Sequence, residues 1–313
     1  MGRTAVVFPG QGSQYAGMGR AFYEKYSICR ETMRLASRET GIDLPKLCFT
    51  ETEELHRTEY TQIAMAAVEV SMLQAARQEG LEPDLYAGLS LGEYAALMGT
   101  GALTLEDGFH LVRQRGIFMD QAVPEGGAMT AVLGLSGEQV EEVCRSVTGP
   151  VWVANYNCPG QTVITGMAYA VKEAEEKLKS AGAKRCMPLQ VSGPFHSPLL
   201  GEAAVKLEKE LEHISLRKPQ ALYVTNVTGD FVSDEEEIRN LLPRQAASAV
   251  RWQQSVETMA AAGTDTFIEI GPGKTLTGFL KRIDRKLKGY SVETPDDLMS
   301  VLEQVKEDRK NGK

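Results

Sequence analysis

The 313-residue chain contains no apolar run near the ~20 residues needed to cross a bilayer, so no membrane-spanning helix is expected. Basic residues are not in excess. Thirty-four Lys and Arg stand against 42 Asp and Glu, a net charge of −8. Such a chain repels a phosphate backbone, which excludes nucleic acid as its main partner. Its five cysteines, Cys29, Cys48, Cys144, Cys158 and Cys186, form no Cys-x-x-Cys pair and lack zinc-ligand spacing. Reduced thiols in a cytoplasmic protein without a metal are therefore expected. The apolar run near the N-terminus is too short for a signal peptide, and Val6 stands where a myristoylation signal needs Ser or Thr. Only four histidines are present, so any imidazole base can be sought by elimination.

Hydrophobic residues make up 42% of the chain and charged residues 24%, enough apolar surface for a large core. Short apolar runs alternate with helical patterns, the rhythm of an α/β fold. Strands are expected at 4–8, 85–89, 224–227 and 266–270. Helices are expected near 18–26, over 61–79 and 91–98, and from the Thr104 cap to about Val123, with a further amphipathic helix from Pro295. The rhythm breaks at Pro124-Glu125-Gly126-Gly127. Between there and residue 192 the order is strand, helix, strand, strand, helix, strand, with the last strand over 184–191. That is a ferredoxin-like βαββαβ unit. The expected architecture is an α/β-hydrolase-like catalytic domain, residues 1–125 and 193–313, with a central mostly parallel sheet. A ferredoxin-like subdomain, residues 126–192, is inserted into it.

Gly88-Leu89-Ser90-Leu91-Gly92 is a Gly-x-Ser-x-Gly motif between an expected strand and an expected helix, the context in which such a serine is exposed as a nucleophile. Among the histidines, His56 and His213 fall in charged, solvated stretches, and His110 lies on a helix where a core or edge role is expected. His196 sits in an irregular loop bracketed by Pro194 and Pro198, free to face a cleft. Gln11, in Pro9-Gly10-Gln11-Gly12, follows the first strand, where open α/β sheets keep their ligand crevice. Its backbone N–H can join that of Leu91 as an oxyanion hole. Gly271-Pro272-Gly273-Lys274-Thr275 resembles a P-loop only in part, since Ile268 occupies a required glycine position, and reads as a tight strand-to-helix turn. Arg115 lies in an apolar stripe with Leu111, Phe118 and Ala122. A cation there wants an anion, and spacing alone slightly favours a structural ion pair with an internal acid over a ligand clamp. Arg113, two residues away, points elsewhere and is expected to be solvated.

Together these segments resemble the acyl-carrier-protein S-malonyltransferase family and the related acyltransferase domains of polyketide synthases. Further shared segments are Asn157-Cys158-Pro159-Gly160-Gln161-Thr162, Pro194-Phe195-His196-Ser197, Val250-Arg251-Trp252 and Glu269-Ile270-Gly271-Pro272-Gly273-Lys274. The resemblance implies malonyl transfer from malonyl-CoA to acyl carrier protein, with no cofactor of the enzyme's own. It implies Ser90 as nucleophile, His196 as base and Arg115 as the clamp for the malonyl carboxylate. Gln11 and Leu91 would supply oxyanion donors, and the backbone carbonyl of Gln245 would orient the histidine. A monomer is expected. Two departures stand out: Leu89 replaces the family's usual His, with altered rate or acyl tolerance expected. Ala249 replaces the usual Pro, with a looser loop around Gln245 expected. An acidic carrier needs a basic rim, for which Lys184, Arg185, Arg282, Arg285, Lys286 and Lys288 are candidates. The rival enzyme reading, a serine esterase, requires an acid such as Asp107 or Asp120 to serve His196. A non-catalytic scaffold is the other alternative.

Overall fold

A computed structural model describes residues 2–122, 125–191 and 193–311. The expected helix end at Val123, the break at Pro124 and the subdomain boundary at Ser192 lie outside the described residues.

Among the described residues, ten strands form two sheets. They are β1 (Arg3–Phe8), β2 (Leu85–Gly88), β3 (Gly127–Leu133), β4 (Val151–Cys158), β5 (Gln161–Met167), β6 (Arg185–Pro188), β7 (Leu222–Val224), β8 (Phe231–Val232), β9 (Thr264–Ile270) and β10 (Lys288–Val292). The larger sheet has the order β10-β9-β1-β2-β7-β8. All neighbours are parallel except the last pair, β7 and β8. Successive side chains of β1 enter opposite faces. Val6 and Phe8 join Tyr86, Ile268 and Ile270 in one core, which includes the Ala- and Met-rich helix Thr58–Gln78. Ala5 and Val7 meet Leu85, Phe267, Trp252 and Leu276 in the other. Burial on both faces explains why these strands read as near-continuous apolar runs.

The second sheet is antiparallel, in the order β4-β5-β3-β6, and packs the helices Gly137–Arg145 and Ala168–Ser180 on one face. This is the ferredoxin-like order. β6 stops at Pro188, short of the expected Val191, although Leu189 N–H still donates to the Met129 carbonyl (2.9 Å). The two units are stitched beside the site: Tyr156 N–H donates to the Val250 carbonyl (2.9 Å) and Val250 N–H to that of Ala154 (2.8 Å).

One core residue defies its surroundings. Glu69, on the Thr58–Gln78 helix, is fully buried, and neither carboxyl oxygen has a hydrogen-bond partner among the described residues. Burial, then the nearby Glu269 carboxylate, pushes its pKa well above 4.5. The folded state thus holds a proton that the unfolded chain releases, so stability falls as pH rises past 4.5. Glu69→Met is expected to raise stability at neutral pH by about 1–3 kcal/mol, as for removal of an unsatisfied buried polar group. Denaturant melts should give a smaller gain at pH 4 than at pH 7.

Candidate active site

β2 ends at Gly88, and the helix Gly92–Thr100 begins four residues later. Between them Ser90 has φ 56°, a left-handed conformation that costs a non-glycine residue about 1–3 kcal/mol. A Cβ at Gly88 would stand 2.0 Å from the Gly92 carbonyl, and one at Gly92 would stand 2.4 Å from that of Phe8. Both glycines are therefore required by backbone contact. Asn226 ties the turn down from a distant strand end. Its Oδ1 accepts from Ser90 N–H (2.6 Å), and its Nδ2 donates to the Gly88 carbonyl (2.7 Å). Gly88→Ala is expected to abolish activity and lower the melting temperature, because backbone cannot yield 1 Å or more without unmaking the turn. Activity assays and thermal melts on that variant check this; wild-type behaviour would contradict it.

His196 also has positive φ, 58°, and is anchored by its N–H to the Ala246 carbonyl (3.1 Å). Its ring bridges two partners: Nε2 lies 2.7 Å from Ser90 Oγ, and Nδ1 lies 3.0 Å from the Gln245 carbonyl oxygen. A carbonyl only accepts, so Nδ1 carries the proton and Nε2 is free to accept from the serine hydroxyl. Burial, then the Arg115 cation, lowers its pKa from 6.5 to about 4, keeping the imidazole neutral. Among the described residues no carboxylate contacts the ring, so the acid that the rival esterase reading requires is not in place. Asp107 and Asp120 both lie on the helix Leu105–Gln121, and Asp107 pairs with Thr104 at its cap. Of the other histidines, His110 pairs with Glu210 (3.2 Å), His56 lies 3.9 Å from Glu51, and His213 is exposed.

Arg115 is 1% exposed and, among the described residues, no acid touches it, so the structural ion pair that spacing slightly favoured is not formed by direct contact. Nη1 donates to Gln62 Oε1 (2.6 Å), while Nη2 donates to Gln245 Oε1 (2.8 Å) and to Ser90 Oγ (3.1 Å). The guanidinium also lies over the Tyr94 ring (5.3 Å), and its Nε has no partner. Desolvation lowers its pKa and the Tyr94 and Glu93 side chains oppose that. Arg113 is not solvated as expected: it grips the Glu59 carbonyl (2.6 Å) and carboxylate (3.3 Å) and covers the Tyr60 ring.

Gln11 stands at the end of β1 with its side-chain amide on Thr58 Oγ1 (3.1 Å). Among the described residues, neither its backbone N–H nor that of Leu91 donates to a protein acceptor. Both border the serine from opposite loops: Gly10 packs so closely on Leu89 that a Cβ would meet its carbonyl at 2.8 Å. Ser90 and His196 open into a cleft of about 230 Å³, with Gln11, Gln62, Leu89 and Phe195 also among its walls and apolar lining from Met119 and Met129. Half-buried Leu89, the departure noted in the sequence, presents hydrocarbon to the cleft.

Sequence reading missed Gln62, Glu93, Tyr223, Thr225 and Asn226. Glu93 was legible by the logic applied to Arg115, since it is the one charged residue in its helix. Here a buried carboxylate accepts from Tyr223, Thr225 (2.8 Å), Asn226 N–H (3.2 Å) and Gln245 Nε2 (2.5 Å).

With this geometry in hand, comparison with known proteins is informative. A family model described as acyl transferase domain matches residues 5–296. A malonyl CoA-acyl carrier protein transacylase of Bacillus subtilis is 40% identical, with both chains covered in full. A crystal structure of the transacylase so named from Clostridium perfringens superposes with a TM-score of 0.95 at 40% identity, covering 99% of each chain. A malonyl-transacylase solved in complex with its holo type II polyketide acyl-carrier protein gives 0.94 at 40% identity, covering 96% of this chain and 99% of that one. This chain belongs to the acyl transferase domain family, among the malonyl CoA-acyl carrier protein transacylases.

Proposed function

We propose that this protein moves a malonyl group from malonyl-CoA to the phosphopantetheine thiol of an acyl carrier protein, by way of an ester on Ser90. The observation that carries the reading is the convergence of imidazole and guanidinium on one hydroxyl, each within hydrogen-bond distance of it.

His196 Nε2 takes the proton as Ser90 Oγ bonds to the thioester carbon, and the oxyanion rests on the N–H groups of Gln11 and Leu91. Collapse breaks the carbon–sulfur bond, and the imidazolium returns its proton to the departing CoA thiolate. The carrier's thiol then enters, gives its proton to His196 and takes the acyl group. The Gln245 carbonyl supports the imidazolium through Nδ1 in place of a third acid. Arg115 clamps the malonyl carboxylate by exchanging its bonds to Ser90 and Gln245 for bonds to substrate. No cofactor enters, because the thioester carries its own activation. The carrier serves fatty-acid or polyketide synthesis. A cytoplasmic monomer completes the proposal.

Of the candidate rim, Lys184, Arg185, Arg285 and Lys286 are exposed and suit an acidic carrier. Lys288 is instead tied to Asp308 (2.9 Å), and Arg282 donates to Gln161 (2.9 Å). The test is to follow the malonyl-enzyme in buffer with and without holo acyl carrier protein. Slow hydrolysis and rapid transfer to the carrier are expected; hydrolysis as fast as transfer would favour an esterase.

A further inference from the structure

Glu93 is 0% exposed, and its four partners are all uncharged. Two of them, the Asn226 N–H and the Gln245 amide, can only donate, so Oε2 is fixed as an acceptor. Burial raises the pKa of this carboxyl, and the four donors oppose the rise. The way to positive charge runs through Gln245. Its Nε2 faces only oxygens, those of Glu93 (2.5 Å) and the Ser90 carbonyl (2.8 Å) among them. Its Oε1 faces Arg115 Nη2 (2.8 Å). Reversing that amide would set donor against donor at Arg115 and acceptor against acceptor at the Ser90 carbonyl. Glu93 and Arg115 therefore face each other across a single carboxamide, both buried and out of direct contact.

We infer that Glu93 is the resident counter-charge of Arg115, and that it sets how strongly the enzyme prefers a carboxylate-bearing acyl group over an uncharged one. The inference rests on the reading of Arg115 as the malonyl clamp. In the free enzyme Glu93 balances the buried guanidinium. When malonyl arrives, two anions share one cation in a weakly screened interior and repel each other. Glu93 thus holds down affinity for the carboxylate, which lets the malonyl group leave for its acceptor. Without the Glu93 charge, the substrate's own carboxylate becomes the only anion balancing Arg115.

The test compares kcat/KM for malonyl-CoA and acetyl-CoA, with holo acyl carrier protein as acceptor, in the wild type and in Glu93→Gln. The new amide keeps the shape: its oxygen accepts from Asn226 and Gln245, and its NH₂ donates to the Thr225 and Tyr223 hydroxyls, which can rotate. The malonyl-to-acetyl ratio is expected to rise on the order of tenfold, through a lower KM for malonyl-CoA. A merely structural role would depress both substrates together. Tyr223→Phe, which strips one donor from the carboxylate, should move the ratio the same way by less, and serves if Glu93→Gln does not fold. A ratio unchanged or lowered in the variants that fold overturns the inference. Arg115→Ala separates the two layers. If it keeps the malonyl preference, the clamp reading fails. If it loses the preference while the Glu93 and Tyr223 variants leave the ratio alone, only the counter-charge fails.

Discussion

Arg115→Ala is expected to lower malonyl transfer by about 10²–10⁴-fold while acetyl transfer falls far less, the asymmetry of a site that loses its charged partner. The size follows from burial. At 1% exposure the guanidinium has almost no water to fall back on, and an acyl group without a carboxylate leaves it bound only to amides and a hydroxyl. A second consequence concerns pH. Arg115 is the second cause, after burial, of the depressed His196 pKa. Its removal should shift the acid limb of the acetyl-CoA profile upward, towards 6.5. Steady-state rates with both thioesters across pH check both points; a retained preference for malonyl over acetyl contradicts the role.

His196→Ala is expected to cost about 10²–10⁴-fold in turnover, the range for loss of a positioned acid–base group. In the wild type, with the imidazole pKa near 4, kcat/KM should stay level through pH 6 and fall only as pH approaches 4. The sign for stability follows from the same shift. The folded-state pKa lies below the unfolded value, so the unfolded chain binds the proton first. His196 therefore lowers stability as pH falls from 6.5 to about 4. An acid limb near 6.5 would contradict the burial described.

Much of this was legible because the residues concerned carry local signals. Gly88 and Gly92 flank Ser90 where only glycine fits, and two prolines bracket His196. The inserted ferredoxin-like unit was legible from the order of its apolar runs. What escaped lacked such signals. β10, Lys288-Gly289-Tyr290-Ser291-Val292, is a polar edge strand with a glycine inside, and β8 has only two residues. Gln62 and Asn226 matter through side-chain hydrogen bonds to residues far away in sequence, a relation no periodicity encodes, and the same holds for the side chain of Gln245, for which the resemblance implied only a backbone role. Around Ala249 the loop is held by the bonds between Val250 and β4 on one side and by Ser248 N–H to the Gln245 carbonyl (3.3 Å) on the other.

The central claim is a covalent malonyl group on one serine. Intact-mass spectrometry after mixing with malonyl-CoA tests it most directly. The expected result is one added malonyl group, mapped to Ser90, absent in Ser90→Ala and removed by holo acyl carrier protein. An unmodified wild-type chain that still transfers malonyl, or modification that persists in Ser90→Ala, would contradict it.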